Sequence, residues 1–366
     1  MLGGPPRARK ARLAPLCACY TRGVATKTLV VPVIAALALL LAACGGPAPS
    51  AAKPAPSAPT QSAAKATATA TVPAKPPAAT GPVRAASVTD LALPTAVDGE
   101  SAVAIGSRAY VIGGIAPDGS TVGDIWSANL ATGGPWRRLG SLPRPTHDAA
   151  AVVLDGAIDV FGGGITVSAP TAWQVNPATG AATALPDLPR PLSDAGGAVL
   201  NGTAYIVGGF DGTNYRAEIL AWHPGGSYQV AGHLPAGLRY AAVAPSGGNL
   251  LIFGGVTPAG VSDAILSFDP ATGAVTRVGS LPVPAMYMSA APAPRAGALW
   301  VLGGLSHNGP LGEVWSWSAG AAGLSRLVAL PATQYYGAAV AAGGSVYFMG
   351  GRGPSGSHTT EVIRVR

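Results

Sequence analysis

The chain has 366 residues, of which 51 are Gly and 35 Pro, with 11% charged residues, 48% hydrophobic residues and a formal net charge of +7. That length allows a sizeable core, while the Gly and Pro load excludes a protein built of long helices. The positive balance also fails to mark a nucleic-acid binder once it is located. Residues 1–86 carry ten Lys and Arg and no acid, which leaves 13 cations, all arginine, against all 16 acids in residues 87–366, a balance of −3. A phosphate-tracking surface needs clustered cations, and these are scattered.

In chain order, a basic stretch runs to Lys27, followed by an apolar run from Leu29 to Leu41 and then Ala42, Ala43, Cys44 and Gly45. About a dozen apolar residues fall short of the roughly 20 that span a bilayer, so the segment reads as an export signal. Its Leu41-Ala42-Ala43-Cys44 end resembles the lipobox of bacterial lipoproteins. That resemblance implies cleavage before Cys44 and acylation of its thiol, with two acyl chains holding the protein on the outer side of a bacterial membrane. The basic leader is long, and a start at Val24 would give a more ordinary one. Cys17 and Cys19 leave with the leader in either case. The expected mature chain then holds Cys44 alone, which excludes a disulfide, a thiolate metal site or a cysteine nucleophile in the rest. Residues 44–86 are mostly Ala, Pro, Ser and Thr with no aromatic residue, and are expected to form a disordered tether. It would reach roughly 35–40 Å as a coil and about 130 Å as polyproline II.

Past residue 86 the chain repeats. A Gly-Gly pair after an apolar run occurs at Gly113, Gly162, Gly208, Gly254, Gly303 and Gly350, at spacings of 49, 46, 46, 49 and 47. A Leu-Pro pair precedes each, at Leu93, Leu142, Leu188, Leu234, Leu281 and Leu330, by 20 residues in five units and 22 in the other. Each unit reads as four short antiparallel strands. A strand of small residues such as Asp148 to Leu154 leads through an Asp-Gly or Asn-Gly turn to an apolar strand ending in Gly-Gly. A loop, a third strand such as Ala264 to Asp269, another turn and a fourth strand follow. Four strands per 46 to 49 residues make one propeller blade, and six units predict an all-β, six-bladed β-propeller.

The glycine pairs, the turn after the third strand and the Leu-Pro lead-in resemble the Kelch repeat family over residues 87–366. One departure stands out. Kelch blades commonly carry a Trp on the fourth strand, and only Trp136 occupies that position here; Ser87, Ala182, Tyr228, Val275 and Leu324 stand at the others. The last unit stops after a third strand, Glu361 to Arg366, whereas Ser87 to Leu93 reads as a fourth strand without a unit. The N-terminal strand is therefore expected to complete the last blade and close the ring.

Loops after the second and fourth strands share one face of such a ring, and that face is the expected ligand surface. Five residues after each Leu stand Asp98, His147, Ser193, Arg239, Met286 and Tyr335, with Tyr240, Tyr287 and Tyr336 directly after three of them. The loops after Gly-Gly add Asp211, Asn214, Tyr215, Arg216, His307, Asn308, Arg352 and His358. Aromatic and cationic side chains around a channel mouth suit a carbohydrate or an acidic peptide. The candidate ligand residues are Asp98, His147, Arg239, Tyr240, Tyr287, Tyr335, Tyr336, Tyr215, Arg216, His307 and Arg352. His223 and His233 are read as structural.

No phosphate loop, metalloprotease, nucleophile-elbow or calcium-loop motif occurs. No metal or cofactor is expected. Galactose oxidases share a Kelch-like propeller, but their tyrosine–cysteine copper cofactor needs a cysteine that residues 87–366 lack. Sialic acid mutarotases also resemble six-bladed Kelch proteins, and an Arg, Tyr, His and Glu mouth could open a sugar ring. No motif carries their residues across. The expected function is a membrane-anchored recognition or scaffold module for a protein or carbohydrate, with a sugar-acting enzyme as the alternative.

Overall fold

The computed structural model describes residues 85–366; the expected signal segment, Cys44 and the expected tether, up to Arg84, lie outside the described residues. What is described is all β. Six four-stranded antiparallel sheets follow one another along the chain. Blade 1 consists of Ser101–Ile105, Arg108–Ile115, Thr121–Asn129 and Arg137–Ser141. Blade 2 has Ala150–Leu154, Ala157–Phe161, Ala172–Val175 and Ala182–Leu185, and blade 3 has Gly196–Leu200, Thr203–Val207, Glu218–Trp222 and Gln229–His233. Blade 4 has Ala242–Ser246, Asn249–Phe253, Ala264–Asp269 and Ala274–Ser280, and blade 5 has Ser289–Pro292, Ala298–Leu302, Glu313–Ser318 and Ser325–Ala329. Blade 6 has Ala338–Ala342, Ser345–Met349 and Val362–Val365, and takes its fourth strand from Ala86–Val88.

That last pairing closes the ring. Ala86, Ser87 and Val88 lie opposite Val365, Arg364 and Ile363. The expected six blades and their closure by the N-terminal strand are both observed. The predicted hairpin turns are present too, with φ of 50° and 78° at Asp155-Gly156 and 51° and 73° at Asn201-Gly202. Two small hairpins were not anticipated: Val256–Thr257 with Gly260–Val261, and Leu305–Ser306 with Gly309–Pro310, both in loops that follow a Gly-Gly pair.

The repeat markers turn out to be the stitches between blades. The second glycine of each pair donates its N–H to the carbonyl four residues past the Leu of the next Leu-Pro. Gly114 bonds Thr146 (2.9 Å), Gly163 bonds Leu192 (2.8 Å), Gly209 bonds Leu238 (2.7 Å) and Gly255 bonds Ala285 (2.8 Å). Gly304 bonds Gln334 (3.0 Å), and Gly351 returns to Val97 (2.7 Å). At Gly254 and Gly255, φ is +61° and +91°, and a Cβ would run into the Ala285 and Arg239 carbonyl oxygens respectively. Only glycine tolerates both the left-handed backbone and that approach. The Leu residues of the six Leu-Pro pairs are all buried.

The core is six clusters, one in each seam between neighbouring blades. Three seams are filled by an aromatic wedge from the third strand. Trp222 packs edge-on against Phe161 at 5.6 Å, Phe268 against Tyr205 at 5.6 Å, and Trp317 lies among Leu299, Val301 and Leu281. Burying each such ring contributes on the order of 2–3 kcal/mol.

Candidate functional site at the axial mouth

The innermost strands begin at the mouth, and one residue per blade sets its geometry. Six residues past each Leu stand Gly99, Asp148, Asp194, Tyr240, Tyr287 and Tyr336, all left-handed, with φ between 56° and 62°. Their backbones form a closed circuit. Asp148 N–H bonds the Gly99 carbonyl (2.8 Å), Asp194 bonds Asp148 (2.9 Å), Tyr240 bonds Asp194 (2.9 Å), Tyr287 bonds Tyr240 (3.2 Å), Tyr336 bonds Tyr287 (3.1 Å) and Gly99 bonds Tyr336 (3.1 Å). A left-handed conformation costs a non-glycine residue roughly 1–3 kcal/mol, and five are held here by this ring and the strands beneath it.

The side chains of the ring gather on the axis. The Tyr240 and Tyr287 ring centroids are 4.3 Å apart, Tyr287 and Tyr336 4.2 Å, and Tyr240 and Tyr336 5.8 Å. The Tyr336 hydroxyl donates to the Asp148 carboxylate, 2.6 Å from each oxygen. These residues line a pocket of about 140 Å³ together with Glu100, Met288 and Gly337. Drug-sized ligands occupy roughly 300–1,000 Å³, so this recess has room for no more than one end of such a molecule.

Its electrostatics are set by burial. Asp148 and Asp194 are neighbours, and both are pushed above the usual carboxylate range, first by desolvation; for Asp148 the charge of Asp194 adds to this. Each carboxylate thus raises the cost of ionising the other. Arg239 supplies the counter-charge, with Nη2 2.5 Å from Asp194 Oδ2. Burial opposes its charge, but Asp194 overcomes this and holds the guanidinium protonated. The guanidinium also lies over the rings of Phe210, Tyr215 and Tyr240, 4.6, 5.3 and 4.2 Å from their centroids. Desolvation raises Tyr240, Tyr287 and Tyr336, so all three present neutral hydroxyls. Glu100, raised by burial and by Asp98, has no hydrogen-bond partner on either side-chain oxygen among the described residues.

A second polar group flanks the first. Buried Asp98 pairs with Arg352 and lies 3.2 Å from His358 Nε2. The His147 Nδ1 atom bonds the Thr121 hydroxyl at 2.9 Å, and its Nε2 lies 3.8 Å from Asp148; burial lowers its pKa. The Tyr335 ring is 6.3 Å from that of Tyr287.

Of the residues expected at the mouth, Asp98, His147, Arg239, Tyr240, Tyr287, Tyr335, Tyr336, Tyr215 and Arg352 come together. Arg216 is committed elsewhere, bonding Glu218 at 2.5 and 3.1 Å and Asp211 at 3.2 Å. His307 stands exposed at a hairpin tip. Asp148, Asp194, Glu100 and Phe210 belong to the site but were missed by sequence reasoning. The signal lay one residue further along: position five past the Leu bridges to the residue after Gly-Gly, as Arg239 does to Val256, whereas position six faces the axis. His223 bonds Thr203 and Gly202, far along its blade from the ring.

No protein-family model matches the chain, and no curated protein matches it in sequence. Among solved structures it is similar to that of YjhT, with 17% identity and a TM-score of 0.64, covering 75% of this chain and 96% of that one. At this identity the likeness shows the fold, and with the six closed sheets it defines the protein as a six-bladed β-propeller. Such a ring suits a binding or scaffold module.

Proposed function

We propose that the protein is a Kelch-type recognition module, lipid-anchored through Cys44 on the extracytoplasmic face of a bacterial membrane, that binds a hydroxyl-rich ligand at the axial mouth. The observation that carries this reading is the axial recess, where three neutral tyrosines, the buried neighbouring carboxyls Asp148 and Asp194, and Arg239 converge. Aromatic faces and charged hydrogen-bonding groups around a small recess suit the end of a carbohydrate. The stitching role of the Gly-Gly pairs favours the Kelch assignment. The signal segment, the Cys44 anchor and the tether rest on the sequence alone.

A thermal-shift screen of the full chain against sugars, peptidoglycan fragments and peptides tests the ligand class. Ligand at 100 times its dissociation constant adds about 2.7 kcal/mol. The Arg239→Ala variant should lose that gain. If no compound stabilises the protein, a scaffold role for a protein partner replaces this reading. Mass spectrometry of the membrane-extracted protein should find a diacylated Cys44 at the mature N-terminus.

One observation favours a second reading. Asp148, whose pKa burial raises, lies beside His147, whose pKa burial lowers, and the pair could pass a proton to and from a bound sugar, which would make the mouth the site of a sugar-acting enzyme. Turnover abolished in Asp148→Asn with binding retained would distinguish it.

A further inference from the structure

The seam between blades 1 and 2 differs from those with an aromatic wedge. Where blades 3, 4 and 5 place Trp222, Phe268 and Trp317 on the third strand, opposite Ala204, Leu250 and Leu299, blade 2 places Val175, opposite Ile158. Tyr205 of blade 3 meets Phe268 across its seam, whereas Tyr110, at the matching position of blade 1, belongs to the cluster that holds Val175. Above this seam a cleft of about 760 Å³ opens between the two blades, lined by Arg108, Tyr110, Ser127, Arg137, Leu139 and Pro177 among others. That volume lies within the range of small-molecule sites.

Blade 1 turns hydrogen-bond donors toward this cleft. Arg108 lies opposite Asn129, and Tyr110, Ser127 and Arg137 form a row across three adjacent strands, so all five share one face of the sheet. Arg108 Nη1 donates to the buried Ser127 hydroxyl at 3.2 Å. Among the described residues neither Arg108 nor Arg137 has a carboxylate within 4.0 Å, in contrast to Arg138, which pairs with Asp124 at 2.7 Å. Asn129 uses its side-chain oxygen to accept from the N–H groups of Ala131 and Thr132, which leaves its amide NH₂ free to donate. Tyr110 is 4% exposed, and its hydroxyl makes no hydrogen bond to another described group. No carboxylate lines the cleft.

The opposite wall is fixed. A bulge leaves Leu139 unpaired, and the backbone of Leu139 and Gly140 abuts Gly180 so closely that a Cβ on Gly180 would collide with Leu139. This pins the turn that carries Pro177 and Ala178, itself held by Gly180 N–H to Asn176 C=O at 2.8 Å.

We propose that this cleft is a second binding site, separate from the axial mouth, for a small organic anion. Its oxyanion end, a carboxylate or a phosphoryl group, is gripped by Arg108 and Arg137, and its apolar body lies between Tyr110, Leu139 and Pro177. Two unpaired guanidinium groups on one rigid face match the oxygens of either group bidentately.

Calorimetric titration of the full chain with citrate and with inorganic phosphate tests the site. Saturable binding is expected. Arg108→Gln and Arg137→Gln should each weaken it at least tenfold, and Arg326→Gln, an exposed arginine on blade 5, should leave it unchanged. Tighter binding of citrate than phosphate identifies a carboxylate ligand, and the reverse a phosphorylated one. No saturable binding of either anion, or binding undiminished in both Arg→Gln variants, overturns the proposal.

Discussion

The Tyr336 hydroxyl reaches Asp148, 188 residues earlier in the chain, with 2.6 Å to each carboxylate oxygen, and it does so across the slot of Gly99. A Cβ on Gly99 would come within 2.9 Å of Asp148 Oδ1 and 3.2 Å of the Tyr336 hydroxyl. The blade that contributes no side chain to the ring therefore lets its two neighbours meet. Removing the donor in Tyr336→Phe should cost about 1–3 kcal/mol by leaving a buried carboxyl short of a partner. Because the Tyr336 bond is one of the influences that lower Asp148, the variant should also raise the Asp148 pKa further. A larger protonated-carboxyl band in the infrared spectrum at neutral pH would register this, and an unaltered band would contradict it.

The interblade stitches make a second prediction. Gly254→Ala forces a left-handed alanine against the Ala285 carbonyl and should destabilise by roughly 3 kcal/mol or more. Gly134→Ala, where φ is ordinary and the nearest atom is 3.9 Å away, should change stability by less than about 0.5 kcal/mol. Urea unfolding of the two variants makes the comparison.

Closure of the ring gives a third. Deleting residues 86–93 strips the last blade of its fourth strand and leaves the Val362–Val365 edge unpaired. Unpaired edges recruit other chains. The truncated protein should melt earlier and run larger in light-scattering chromatography; an unchanged melting curve would argue against any need for closure.

A fourth concerns pH. Burial raises the folded pKa of Glu100 and of Asp148, and in the unfolded chain both return to about 4. Above that value the native state keeps protons that the unfolded chain has released, so stability falls as pH rises toward the raised values. Glu100→Gln should remove part of this loss, so that its melting temperature gains on the wild type between pH 4 and 7. Glu218, held low by its bond to Arg216, acts in the opposite sense, its contribution disappearing as pH drops below the ordinary carboxylate value.

Much of the fold could be read from the sequence because the seams demand one residue type. Only glycine meets a left-handed φ and a carbonyl at the same point, so Gly-Gly recurs with each blade, and Leu-Pro recurs because each Leu fills an equivalent hole. The fourth-strand Trp was a weaker marker because only Trp136 and Tyr228 use the position for a hydrogen bond, while Ala182, Val275 and Leu324 carry no donor there. Trp136 Nε1 donates to the Leu91 carbonyl at 2.9 Å, and the Tyr228 hydroxyl donates to that of Pro186 at the same distance, each two residues before a Leu-Pro. The axial ring was hidden for the opposite reason. Its six positions share a backbone conformation but carry Gly, Asp and Tyr, and aspartate or tyrosine at positive φ leaves no trace in composition. Nor could spacing show that Arg239 would pair with Asp194 of the preceding blade, since that contact depends on how neighbouring sheets are rotated about the axis.

The strand Ala86–Val88 sits at the outer rim, and Arg366 N–H bonds the Ala85 carbonyl at 3.3 Å. Whatever chain comes before Ala85 thus joins the ring at its circumference, beside the final residue. Mechanical load arriving from that side falls on three residue pairs of a single short ribbon, well away from the axis. Under tension the wheel would lose its latch first while its hub stayed whole, and slackening would let the latch click back.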